Sequence, residues 1–210
     1  MIAPVGVAFG WSGCADALFS VGIRYMSRPG WAVRPLARYS HMFLVFAFAV
    51  PELNVIHEAL GGSGWTEKPA RKLDGWLRKN PGHRWAHVAW LDVPEATVAD
   101  IYRESCSWIG TRSYSWGQIA VLALTHATIG RVLAPVLPWA RRIDVGEKQV
   151  MCAEGAGQLV GKHCPGVDLR EPGESWAMMS PQDWADRYEK DVRRPRVRDM
   201  LETGDHGSAA

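Results

Sequence analysis

Strand-like and helix-like segments alternate irregularly along the chain, and the two longest apolar strands follow one another directly, which is the pattern of an α+β domain. Three observations carry this expectation. Val5–Phe9, Tyr39–Val50, Val55–Leu60 and Arg84–Asp92 are apolar runs of strand character. Apolar residues recur at helical spacing in other segments, as at Ala17, Leu18, Val21 and Tyr25. Glycine, proline and N-cap residues fall at the joints between the two kinds of segment.

Taken in order, Val5–Phe9 is the first strand and Gly10–Gly13 the turn after it. A helix over Cys14–Met26 ends at Arg28-Pro29-Gly30. Tyr39–Val50 and Val55–Leu60, separated by Pro51-Glu52-Leu53-Asn54, form a buried antiparallel hairpin, and Gly61–Gly64 is a flexible loop. Arg84–Asp92 is a third strand. Pro94 then opens a helix to about Trp108, with Val98, Ile101, Tyr102 and Cys106 on one stripe, because proline suits a first helical turn. A further helix, buried on most faces, covers Trp116–Val132. A short strand at Gln149–Met151 leads into a helix over Cys152–Gly161, and Ser180-Pro181 starts the last one. Residues 1–190 read as one domain, and the charged stretch 191–210 as a disordered tail.

Composition excludes several classes. The 210 residues are 47% hydrophobic and 22% charged, ordinary for a globular domain with a sizeable core. A net charge of +2 gives no footprint for a nucleic-acid partner or a polybasic membrane anchor. Four cysteines are too few for a disulfide framework. The 11 tryptophans are assigned mainly to the core. The apolar N-terminus has no Lys or Arg before Arg24, so it lacks the charged region of a secretory signal, and a cytoplasmic location is expected. Trp11 stands where a lipoprotein cleavage site needs a small aliphatic residue. Met42–Val50 is too short to span a bilayer, and Thr125, His126 and Arg131 interrupt Gln118–Ala140, so no spanning segment is expected.

Cys152 is the first candidate for chemistry. It opens a helix, where unpaired backbone N–H groups and the helix dipole favour thiolate over thiol. The small residues Ala153, Gly155, Ala156 and Gly157 suit a helix packed closely on a sheet. A cysteine nucleophile needs a base, and the base an orienting group. His41 enters the apolar strand Tyr39-Ser40-His41-Met42-Phe43, and Glu58 sits on the apolar strand Val55–Leu60, where an unpaired carboxylate is costly. Opposed residues in an antiparallel hairpin have a constant index sum. His41 and Glu58 are directly opposite if the turn centres between Ala49 and Val50, and every register with an odd sum keeps them on one face. His57 then points to the other face.

The motifs Arg24-Tyr25, Tyr39-Ser40-His41, Ile56-His57-Glu58-Ala59-Leu60 and Met151-Cys152-Ala153-Glu154, in that order, resemble the circularly permuted NlpC-type papain-like cysteine hydrolases. This is the YiiX-like group related to lecithin:retinol acyltransferases, in which the histidine precedes the cysteine. The likeness spans roughly residues 5–188, with one departure: Ala153 stands where the family has serine. It implies an α+β domain in which an antiparallel sheet carries His41 and Glu58 and the Cys152 helix packs against it. It also implies a Cys152–His41–Glu58 triad, an acyl-enzyme, and Tyr114 as a site wall or oxyanion donor. Substrates would be a peptide or cell-wall fragment cleaved at an amide. The alternatives are an acyl-lipid handled by an acyltransferase or thioesterase, and a non-catalytic binding or assembly module.

Cofactor and metal motifs are missing from the sequence. His57-Glu58-Ala59-Leu60-Gly61 lacks the second histidine of a zinc helix. His83 and His87 have no third ligand nearby, and Cys152, His163 and Cys164 lack paired-cysteine spacing. No G-x-S-x-G elbow, phosphate-loop lysine or dinucleotide glycine pattern occurs. No metal or cofactor is therefore expected.

Overall fold

Strands β1 (Gly6–Cys14) and β2 (His41–Ala47) are buried almost from end to end, and that places them at the centre of the sheet. The computed structural model describes residues 2–27, 36–126, 148–170 and 172–189. In it β3 (Val55–Leu60), β4 (Gly64–Pro69) and β5 (Arg84–Trp90) complete a five-stranded sheet in the order β4-β3-β2-β1-β5, every neighbouring pair antiparallel. Two short strands, β6 (Ser113–Tyr114) and β7 (Gln149–Val150), pair in parallel beside it. The helices are α1 (Leu18–Met26), α2 (Arg71–Arg78), α3 (Glu95–Trp108), α4 (Trp116–His126), α5 (Cys152–His163) and α6 (Pro181–Glu189). The α+β expectation holds. Among the described residues, no helix is long and apolar enough to cross a membrane.

Alternation divides the sheet into two faces. Phe9, Trp11, Met42, Leu44, Phe46, Ala59 and Trp65 belong to the main core with residues of α3, α5 and α6. Ala8, Phe43, Val45, Ile56 and Val88 form a smaller cluster on the other face, with Ala70 and Leu73 beside them. The β2–β3 hairpin pairs Leu44 with His57, so its turn centres one residue later than direct opposition of His41 and Glu58 requires. The sum stays odd. His41 and Glu58 therefore share the second face as diagonal neighbours, within reach of long side chains.

Several expected boundaries move. Gly10–Gly13 is not a turn but the second half of β1. A Cβ on Gly10 would stand 2.0 Å from the Phe43 ring, and one on Gly13 2.5 Å from the Arg38 carbonyl, so these glycines allow close packing within a strand. α1 accordingly starts at Leu18 rather than Cys14. The Gly61–Gly64 loop is a tight turn, with Gly62 and Gly64 at φ of 92° and 68°, leading into β4. Pro94 is the N-cap of α3 rather than its first residue. The buried stripe of α3 runs through Val98, Ile101, Ser105 and Trp108, while Tyr102 and Cys106 flank it half-buried.

Trp116 at the start of α4 is 53% exposed, so the first turn of that helix is not buried on most faces. Ser180 caps α6 as expected: its Oγ accepts from the Asp183 N–H at 3.2 Å, and its own N–H donates to Asp183 at 2.9 Å. Trp11, Trp65, Trp108 and Trp184 are buried, in line with the core assignment. The helix stop at Arg28-Pro29-Gly30, the helix beyond residue 126 and the tail 191–210 lie outside the described residues.

Candidate active site

Cys152 is the first residue of α5, which begins where β7 ends. Glu154 fixes that start, since its carboxylate accepts the Met151 N–H at 3.0 Å and sits near the positive end of the helix. The glycines of α5 receive tryptophans. A Cβ on Gly155 would stand 2.5 Å from the Trp65 ring, one on Gly157 2.1 Å from Trp184, and one on Gly161 2.2 Å from Trp176. The small-residue pattern thus lets three indoles press on the helix backbone, which fixes how α5 lies over the sheet.

His41 Nε2–H donates to Glu58 Oε2 at 2.6 Å. The other carboxylate oxygen, Oε1, takes the Lys68 ammonium at 2.8 Å. With Nε2 engaged, Nδ1 is the ring nitrogen left for Cys152, whose thiol is hydrogen-bonded to His41. The structure therefore brings Cys152, His41 and Glu58 into one connected line. His57 points to the opposite face, as the register argument requires.

The electrostatics follow from the contacts. Burial alone raises a thiol pKa. The His41 charge and hydrogen bond outweigh it, and the backbone N–H groups of Met42 and Ala153 also donate to the sulfur, so Cys152 falls below its ordinary 9.0. Burial pulls the His41 imidazolium down, but the facing Cys152 charge and Glu58 lift it from 6.5 to about 10. The two titrate as a pair, held as thiolate and imidazolium. Burial would raise Glu58, yet His41 and Lys68 bring it from 4.5 down to about 2.

A cleft of about 830 Å³ opens beside this line. Its walls include His41, Glu58 and Tyr114, the apolar Phe19, Phe43 and Trp76, and the basic Lys68, Lys72 and Arg84. Cys152 is not among its lining residues. It is only 5% exposed and borders an adjoining cavity of about 20 Å³, which shares Ile23, Ser40 and Tyr114 with the cleft. Ile23 belongs to α1, so that helix stands at the boundary between the cleft and the sulfur. Tyr114 is placed by the β6–β7 pairing, opposite Val150 and two residues before Cys152. Burial, and then the Cys152 charge, push its hydroxyl pKa up, so it remains a proton donor.

Arg24, from the Arg-Tyr pair, has a holding role: its Nε donates to the Ala37 carbonyl at 2.7 Å, and its guanidinium lies over Trp85 at 4.7 Å. Three participants escaped the sequence reading. Lys68 lies on β4, a strand with too little apolar alternation to be recognised. The Met42 N–H is a backbone group with no sequence signature. Ile23 lies off the stripe of Ala17, Leu18, Val21 and Tyr25, so the helical spacing gave no reason to single it out. Comparison of the chain with family models, with curated proteins and with solved structures gives no match in any of the three.

Proposed function

We propose that the chain is a cysteine hydrolase of the circularly permuted NlpC type, acting on an amide bond of a peptide or cell-wall fragment. The observation that carries this reading is the connected line from Cys152 through His41 to Glu58, with Lys68 behind it. In this reading the Cys152 thiolate attacks the substrate carbonyl carbon, and the oxyanion accepts the backbone N–H of Cys152 at the helix start. The imidazolium of His41 then gives its proton to the leaving amine, and the C–N bond breaks. The neutral imidazole takes a proton from water, whose hydroxyl oxygen attacks the thioester and frees the carboxylic acid and Cys152. Glu58 holds the ring orientation throughout, and Tyr114 forms a wall of the site.

The apolar part of the cleft favours a second reading on the same residues, in which an acyl ester or thioester enters with its chain against Phe19, Phe43 and Trp76. The deciding experiment offers the purified chain dipeptide, acyl-ester and acyl-thioester probes and seeks an acyl adduct on Cys152 by mass spectrometry. The proposal expects turnover of at least one probe, with the adduct and the turnover both lost in Cys152→Ala. Absence of both with every probe would overturn the enzyme reading and favour a binding module.

A further inference from the structure

On the face of the sheet opposite His41 and Glu58, three side chains of zinc-ligand type meet without any role in the chemistry above. His57 and Glu67 are directly opposed in the β3–β4 ladder, and His57 Nε2 lies 2.9 Å from Glu67 Oε2. Cys106 comes from α3, and its sulfur lies within 4.8 Å of the ligand atoms of both. Among the described residues this is the one group of three such side chains drawn that close. We propose that His57, Glu67 and Cys106 form a binding site for a zinc-type divalent cation.

The surroundings hold the imidazole as a ligand needs to be held. Its Nδ1 is hydrogen-bonded to Ser105 Oγ at 2.6 Å, and that oxygen also accepts the Trp65 indole N–H at 3.0 Å. Phe46 meets the ring edge-on with centroids 4.9 Å apart, and Tyr102 covers it at 5.3 Å. A metal-bound histidine typically has its second nitrogen fixed in this way, which sets both tautomer and direction. Ser105 serves either tautomer, donating to Nδ1 or accepting from it, so Nε2 is able to present its lone pair.

The donor set also selects the ion. One imidazole nitrogen, one carboxylate oxygen and one sulfur suit zinc, with ligand atoms roughly 3.5 Å apart around a tetrahedral ion. His57 Nε2 and Glu67 Oε2 stand 2.9 Å apart and the Cys106 sulfur within 4.8 Å of each, so an entering ion has to spread the first pair. His57 is fully buried, Cys106 half-buried, and the Glu67 side chain 39% exposed, so the site is closed on the core side and open to solvent at the sheet edge. An ion enters from outside, and water fills the fourth position. On binding, the metal replaces the proton on the Cys106 sulfur, and that proton passes to solvent. Sequence spacing missed the group because its members come from β3, β4 and α3 and only the fold brings them together.

The test uses the whole chain, equilibrated with zinc, dialysed and measured for bound metal. Wild type and Cys152→Ala are expected to retain one zinc each. Cys106→Ser and Glu67→Gln should weaken zinc by no less than the about tenfold that loss of an outer-shell partner causes. With cobalt in place of zinc, the thiolate-to-metal charge-transfer band should appear in wild type and Cys152→Ala and vanish in Cys106→Ser, with all variants checked for a wild-type circular dichroism spectrum. Failure to retain zinc would overturn the proposal. So would a cobalt band that survives Cys106→Ser or disappears in Cys152→Ala, the latter placing the metal on the catalytic thiol. The proposed hydrolase activity stands or falls separately, since Cys106→Ser leaves Cys152, His41 and Glu58 intact.

Discussion

The ammonium of Lys68 lies 2.8 Å from Glu58 Oε1, on the side of the carboxylate away from His41. Glu58 is thus held between two cations and brought from 4.5 down to about 2, despite its burial. A folded-state value below the unfolded one stabilises the fold at pH above about 4.5, and that contribution disappears as pH falls through about 2. The displacement corresponds to on the order of 3 kcal/mol, shared between His41 and Lys68. Lys68→Met is expected to raise the Glu58 pKa, so that stability and turnover are lost at a higher pH on acidification. Melting curves and rates measured from pH 3 to pH 7 check it; an unshifted acid limb would show that Lys68 does not hold the carboxylate.

Cys152 should react with iodoacetamide near neutral pH faster than Cys106 or Cys164, whose thiols burial raises. Its rate should climb less with pH through neutrality than theirs, because the paired thiolate forms at a lower pH than an ordinary thiol. Ionisation of the pair opposes what burial alone dictates, so His41→Ala should remove the advantage and give Cys152 a rate that climbs with pH like any buried thiol. Peptide mapping after brief alkylation reads all the cysteines at once. Cys152→Ala should leave the melt within about 1 kcal/mol of wild type, since it removes a small group at a helix start.

Gly157 and Gly75 offer opposite outcomes from the same substitution. A Cβ at Gly157 would stand 2.1 Å from Trp184, which is fully buried and stacked on Trp176 at an interplanar angle of 4°. The ring has nowhere to go. Gly157→Ala should destabilise by about 1–3 kcal/mol through overpacking, which exceeds the roughly 1 kcal/mol that alanine gains in helix propensity. Gly75 in α2 has nothing within 4 Å of its Cβ position, so Gly75→Ala should instead raise the melting temperature slightly. Paired denaturant titrations check both, and similar shifts of one sign would refute the packing argument.

The line of Cys152, His41 and Glu58 was legible in the sequence because each member breaks a local rule: a histidine and a carboxylate on apolar strands, and a cysteine opening a helix of small residues. Parity then placed His41 and Glu58 on one face even though the turn slipped by one residue, since a two-residue offset preserves the face. The second half of β1 and the whole of β4 and α2 were not legible. Gly10 and Gly13 look like turn residues, yet their missing side chains make room for Phe43 and Trp85. β4 reads GWTEKP, with one large apolar residue, and its strand character comes from pairing with β3. His57 was read by its direction and as a zinc-helix histidine without its partner. Its surroundings, assembled from β4 and α3, have no signature in any single segment.

Ile23, with Ser40 and Tyr114, lines both the open cleft and the small cavity that Cys152 borders. It lies on α1, which has no fully buried residue and exposes Leu18 by 89% and Phe19 by 50%. A helix so weakly buried opens at lower cost than the sheet beneath it, so displacement of α1 is the expected route by which a reagent, or the substrate of the proposed hydrolase, reaches Cys152. Ile23→Ala should raise the alkylation rate of Cys152 several-fold with a bulky maleimide and much less with iodoacetamide, because the small reagent needs less room. The ratio of the two rates isolates access from thiolate reactivity, which the substitution does not touch. An unchanged ratio would mean that the sulfur is reached by some path other than past Ile23.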